Sequence, residues 1–383
     1  MAKKQIAYIN RKMLVWAREN SIFETVFDVA NNLKDISSED VLKWENEEDY
    51  PSITQVKRLA ALYDVPFATF YLSEEPKITM PKYVDRRTLN GGVINSMSLK
   101  LWKEIRKMIA RREEMLECNE DFLDNFDVLS DVFSADESDE EIANKIREYF
   151  GIASPYRFKS EYNNNAFNFF REKLEEKGII VMQLTEISLD EIRGLSLYYD
   201  KYPIIALNNK DTANAKVFSL FHELAHIVRR TSALCTIEVE NQSDNEERIC
   251  DGIAAKVLVP EGSFREMIRN IDCWDTQELY KIAIRYGVSN LVILRRLYNL
   301  NEISYLDYSE LYHDCMEEFY LHQRKKGNPQ IRYHVRYVSE SGKLFPNVII
   351  DAQATGKITV GEACLMLGVN VQHFGNIERM VMY

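Results

Sequence analysis

The spacing of apolar positions changes twice along this chain. Over the first 75 residues, short apolar clusters alternate with polar turn residues. They predict helices over Arg11–Arg18, Ile22–Leu33, Ser38–Trp44, Ser52–Tyr63 and Pro66–Tyr71. Ser38 and Ser52 suit N-caps, because a serine hydroxyl accepts from the orphan N–H groups of a first helical turn. Pro76, Pro81 and Gly91-Gly92 then interrupt any period. A stripe of Leu99, Trp102, Ile105, Ile109 and Met115 predicts a long helix over Ser98–Glu117. The acidic stretch Ser134–Glu141 opens a helix to Phe150, and another runs over Ala166–Glu176 to a stop at Gly178.

From Ile179 the pattern turns to strands. Ile179–Gln183 is a short apolar run, and Gly194–Tyr199 and Ile204–Asn208 flank Asp200-Lys201-Tyr202-Pro203 as a hairpin. Helical spacing returns over Ala213–Arg229 and Asn245–Val259, the second stopped by Pro260. Thr276–Tyr286 and Ser289–Leu297 form a further helical pair. Gln330–Val338 reads as extended, and Asn347–Ala354 and Val360–Met366 as helical. The expected fold class is α+β and mainly helical. Residues 1–75 form a helix-turn-helix bundle, 76–130 a linker and long helix, 131–300 a core with a small β-sheet, and 301–383 a helical accessory region.

Composition bounds the setting. A chain of 383 residues suits two or three domains. A net charge of −12 opposes a surface that binds nucleic acid over its whole extent. The six cysteines are widely spaced with no CxxC pair, which points to thiols in a reducing compartment. The N-terminus lacks a secretory pattern, and no run reaches the ~18 apolar residues of a membrane span. The expected location is the cytoplasm, away from membranes.

The chemistry lies in His222-Glu223-Leu224-Ala225-His226. Residues four apart on an α-helix project from one face, so both imidazoles can aim a nitrogen at one zinc ion. Glu223, beside the first histidine, reaches the open side of that ion as catalytic base and takes a proton from the attacking water. Val217, Phe218, Phe221, Leu224, Ala225 and Val228 supply the apolar face that keeps the segment helical.

A catalytic zinc needs a third protein ligand. The continuation HExxHxxGxxH is closed, since Arg229 and Ser232 stand where Gly and His are required. An acidic ligand on the following helix remains. Glu247 and Asp251 are one turn apart, with Glu247 as metal ligand and Asp251 as acceptor from a ligand histidine's other nitrogen. Ala254 and Leu258 continue that face inward. A merely solvated acidic first turn would also favour the helix dipole. Glu246 is the next choice of ligand, followed by His313, His322, His334 and His373. Ile205 and Leu207, in the apolar strand before the motif, are expected to line an edge where a peptide pairs through backbone hydrogen bonds.

The run PIIALNN…VFSLFHELAHIV followed by EERICDGIAAKVLVP resembles the ImmA/IrrE metallopeptidase family. Matched residue by residue, His222, Glu223 and His226 fall on its zinc motif and Glu247 on its third-ligand glutamate. Cys250 stands where Ala is usual, and Ile253 where Phe is usual. The N-terminal segment, with Ala30, Trp44-Glu45, Pro51 and RLAALYDVPFATFYL, is similar to the Xre-type helix-turn-helix often fused to that family. The tail DAQATGKITVGEACLMLGV is similar to the C-terminal region of longer members. The resemblance implies a zincin-like core, zinc as cofactor and a protein substrate. That substrate would be an Xre-type repressor of a mobile element, toxin–antitoxin pair or stress regulon.

The residues oppose one carry-over. Between positions 24 and 50 stand nine acidic residues against Lys34 and Lys43 alone. The would-be recognition helix opens with Ser38-Glu39-Asp40. Such a surface repels phosphates, so the module is expected to bind protein rather than DNA. Two readings of another class stay open: a non-proteolytic regulator with structural zinc, and a DNA-binding regulator with a vestigial site.

Overall fold

A computed structural model describes residues 5–23, 25–76, 98–118, 126–134, 137–152, 163–230, 243–271, 273–322 and 331–382. They fall into two units, one of residues up to 76 with 98–106, the other from 107 onward.

In the first unit, helices Arg11–Glu19, Val26–Asn31, Ser38–Glu45 and Ile53–Tyr63 precede a 3-10 turn, Phe67–Tyr71. Side chains of Asn10, Thr25, Ser37 and Ser52 cap the four helices. Ser52 caps as expected. The third helix is capped by Ser37 rather than Ser38: the Ser37 hydroxyl accepts from the Asp40 N–H, and the Asp40 carboxylate accepts from the Ser37 N–H, which closes a capping box. Leu14, Trp16, Val29, Val41, Trp44, Val56, Leu59 and Phe70 form the core. Within it Arg18 Nε donates to Glu45 Oε1 at 2.8 Å, which withdraws the Glu45 carboxylate from the surface.

The second unit is built around strands β1 (Ile180–Leu184), β2 (Gly194–Leu197) and β3 (Ile204–Asn208). Their order is β1-β3-β2. β2 and β3 form the expected hairpin, with Gly194 opposite Leu207, and β3 lies parallel to β1, with Ile180 opposite Ile204. The hairpin tip is held by Arg112, whose guanidinium donates to the carbonyls of Lys201 and Tyr202 and lies 3.7 Å over the Tyr199 ring.

This order overturns one expectation. Ile204–Asn208 is the middle strand, hydrogen-bonded on both sides, and Ile205 and Leu207 are fully buried. Its backbone has nothing left to offer a peptide, so neither residue lines a pairing edge. The apolar run at β1 takes the position that an edge reading left open.

One face of the sheet, with Val181, Ile205 and Leu207, packs into a core with Phe170, Phe221 and Leu224. Phe170 comes from the helix Asn163–Glu175, and Phe221 and Leu224 from the motif helix, Ala213–Arg229. Thr212 caps the motif helix by accepting from the Ala215 N–H. The helix Ser243–Leu258 packs against it.

Residues 333–341 form a helix, Tyr333–Ser341, where an extended piece was expected. The alternation of Tyr333, Val335 and Tyr337 with polar residues suggests a strand. Burial instead falls on Tyr337, Val338 and Ser341, a helical spacing, while Val335 stays exposed. Three further helices, Glu261–Ile268, Tyr305–His322 and Val371–Met382, have weaker sequence signals and were not foreseen. Among the described residues, no helix is long and apolar enough to cross a membrane.

Candidate metal centre

The motif helix is buried all round over its second half: from Ser219 to Val228 every residue is buried. His222, Glu223 and His226 therefore lie inside the unit, each 1–2% exposed. Burying two imidazoles and a carboxyl is costly unless each meets a partner. The partners of the two imidazoles come from the helix Ser243–Leu258, one turn of which faces the motif with Glu247, Cys250 and Asp251.

Three ligand-type side chains converge. His222 Nε2 and His226 Nε2 are 3.1 Å apart, and Glu247 places Oε2 3.2 Å from the first and Oε1 3.3 Å from the second. Donors bound tetrahedrally to one zinc at its usual bond lengths stand roughly 3.3 Å from each other. The set of two imidazoles and a carboxylate, at this spacing, fits a single zinc ion. It is the one such group among the described residues.

The second contacts of the two rings favour the same role. Asp251 Oδ1 lies 2.9 Å from His222 Nδ1. An ionised carboxylate only accepts, so Nδ1 carries the proton and Nε2 turns its lone pair toward the cluster. Cys250 Sγ lies 3.5 Å from His226 Nδ1, the other nitrogen of the second ring. Burial pushes the Cys250 thiol up, against the pull of His226, so it faces the ring as a neutral thiol. Burial also raises the Glu247 carboxyl, but when the rings of His222 and His226 are protonated, with no ion between them, their hydrogen bonds and charges outweigh it and hold Glu247 well below the usual carboxylate range; an ion replaces those Nε2 protons.

The expected residues are thus sorted. His222, His226 and Glu247 meet, Asp251 backs His222, and Ala254 and Leu258 point inward. Glu246 points elsewhere, to a two-pronged pair with Arg229 at 2.6 and 3.3 Å. No other histidine among the described residues joins the group; His373, for one, stacks on Tyr333. Cys250 is a functional contact that the motif alone does not identify, since in the sequence it reads only as a departure from a usual Ala. Its position one turn beyond Glu247 and next to Asp251 was the available signal.

Residues 175–298 match the family model of the IrrE N-terminal-like domain, a peptidase family. Comparison with curated protein sequences gives no match. Among solved structures, the chain is similar to a Mycobacterium tuberculosis transcriptional regulator at 13% identity and a TM-score of 0.26. The alignment spans 42% of this chain and 52% of that one, about half of each. A likeness that slight carries no argument about function.

Proposed function

We propose that the chain is a zinc-dependent endopeptidase that cleaves a partner helix-turn-helix repressor in the cytoplasm. One observation carries the reading: His222, His226 and Glu247 converge at zinc-ligand spacing, with Glu223 next to the first of them. The family match over this segment supports proteolysis as the activity.

When bound, zinc supplies Lewis acidity to the scissile carbonyl and to water. The protein's residues do the rest. His222 and His226 bind through Nε2 and Glu247 through its carboxylate, while Asp251 keeps the Nδ1 proton of His222 in place. Glu223 takes a proton from the attacking water on a carboxylate oxygen and returns it to the leaving amine as the C–N bond breaks.

The helices of the N-terminal unit act on this reading as an Xre-type module that engages protein. Its charge supports that choice. The Arg18 guanidinium is used internally by Glu45, and Lys43 pairs with Glu39 at 2.7 Å. Arg11, Lys12, Lys34 and Lys57 remain exposed, but acids outnumber cations along these helices, and Phe27 and Leu42 stand exposed among them. Within the second unit, residues 131–300 serve as the peptidase core and 301–383 as an accessory region.

The test is metal content by mass spectrometry, then co-expression with a candidate helix-turn-helix repressor. One zinc per chain and a cut repressor are expected, with the cut lost in Glu223→Gln while zinc stays. Full cleavage by that variant would falsify the proposed mechanism. A second reading, a regulator with structural zinc, is favoured by the 2% exposure of Glu223. It predicts bound zinc, an intact repressor, and no difference between wild type and Glu223→Gln.

A further inference from the structure

A glycine occupies the first position of β2, where its lack of a side chain has a cost. Strands disfavour glycine, which loses the most entropy and packs nothing. Such a residue in a buried strand marks either an unusual backbone or a close approach. Gly194 has no positive φ, unlike Gly342 or Gly368, and its backbone is extended in a conformation that alanine adopts freely. Space is the remaining reason.

The space is filled by Glu223. A Cβ built on Gly194 would lie 2.9 Å from Glu223 Oε1, 3.4 Å from its Cγ and 3.0 Å from Leu207 Cδ2. Leu207 sits opposite Gly194 in the sheet and is fully buried, which limits how far it can give way. The carboxylate is the far end of a flexible side chain, so it is the group that would move.

We propose that Gly194 is a positioning residue: the gap at its Cα seats the Glu223 carboxylate against the start of β2, beside the His222–His226–Glu247 cluster. This rests on the peptidase reading, in which Glu223 is the base. The seat fixes which way the carboxylate faces, and a proton acceptor must lie within hydrogen-bond reach of its donor. The sequence motif names the base; an element some thirty residues earlier determines where it points.

The test uses full-length chain loaded with cobalt(II), and acetohydroxamate as probe. A hydroxamate that binds a metal gives its acidic proton to a nearby carboxylate, so its affinity reports where that carboxylate is. Cobalt stoichiometry, the visible spectrum and the melting temperature are followed in parallel. Gly194→Ala should keep one cobalt per chain and weaken acetohydroxamate at least about tenfold, the scale of a lost charge-assisted hydrogen bond. In a Glu223→Ala background, the same substitution should change nothing further. Gly194→Ala combined with Leu207→Val relieves the Leu207 contact and leaves the carboxylate contact, and it should remain weakened.

An unchanged affinity in Gly194→Ala overturns the proposal, as does an equal loss in the Glu223→Ala background. Recovery in the Leu207→Val combination overturns it too, since Leu207 would then be the obstruction. Loss of cobalt from Gly194→Ala and from its combination with Leu207→Val does the same, because a seat for Glu223 leaves the ligands in place. A wild-type chain that binds no cobalt overturns the peptidase reading itself, a distinguishable result.

Discussion

Asp251 Oδ1 stands 2.9 Å from His222 Nδ1, one helical turn beyond the carboxylate that faces the same ring's Nε2. A single helix face thus meets both nitrogens of one imidazole. The arrangement fixes the ring's orientation before any ion arrives.

Asp251→Ala should therefore lower zinc affinity by about 10- to 100-fold without removing a ligand. Competition against a chromophoric chelator measures it. His222→Ala should lose zinc outright. If Asp251→Ala binds as tightly as wild type, the carboxylate does not orient the ring.

Cys250→Ala should have a smaller effect, less than about tenfold, because a thiol is a weak partner and its distance to His226 Nδ1 is 3.5 Å. The same chelator assay ranks the two variants. A larger loss for Cys250→Ala than for Asp251→Ala would reverse their assigned importance.

Glu175 is buried between Arg171 and the Lys343 backbone N–H, which donates to both carboxylate oxygens at 3.1 and 3.2 Å. Burial pushes its carboxyl up to about 7, despite the opposing pull of Arg171 and Lys343. An unfolded glutamate titrates near 4.5, so between these values the folded chain holds an extra proton. This group's contribution to stability is complete below 4.5 and is lost as pH rises through 7. Urea midpoints between pH 4.5 and 8 should fall more steeply for wild type than for Glu175→Gln. Parallel profiles would count against the assignment.

Gly342→Ala should destabilise the fold by more than about 2 kcal/mol, since strained backbone and overpacking both apply. Gly342 has φ +78° and ψ −176°, a region that only glycine enters readily. An added Cβ would also meet Glu175 Oε1 and come 2.7 Å from the Val181 carbonyl oxygen. Thermal or chemical denaturation checks this, and a variant as stable as wild type would show that the backbone relaxes there.

Full-length protein should not retain random duplex DNA in a mobility assay at low salt. Low salt is where electrostatic binding is strongest, so tight retention there would show that the acidic N-terminal unit is not the barrier proposed.

Much of the site was legible because its determinants are local. The motif helix has the bounds its apolar period predicts, Ala213–Arg229, and a helical turn is enough to place His222 beside His226 and Glu247 on the face of Asp251. The hairpin of β2 and β3 was visible for the same reason, as its two runs lie within a few residues of each other. Amphipathic period and turn chemistry act over one or two turns of chain, and a sequence displays them directly.

Tertiary structure alone decided where those pieces lie. The parallel pairing of β1 with β3 moves Ile205 and Leu207 from a supposed edge to the middle of the sheet. Packing makes 333–341 a helix despite its strand-like alternation. It also brings the Cys250 thiol to His226 and leaves room at Gly194 for Glu223. Each depends on how a segment meets another that is distant in sequence, through steric fit and shared burial. No local periodicity records such contacts, because either neighbour alone is compatible with several partners.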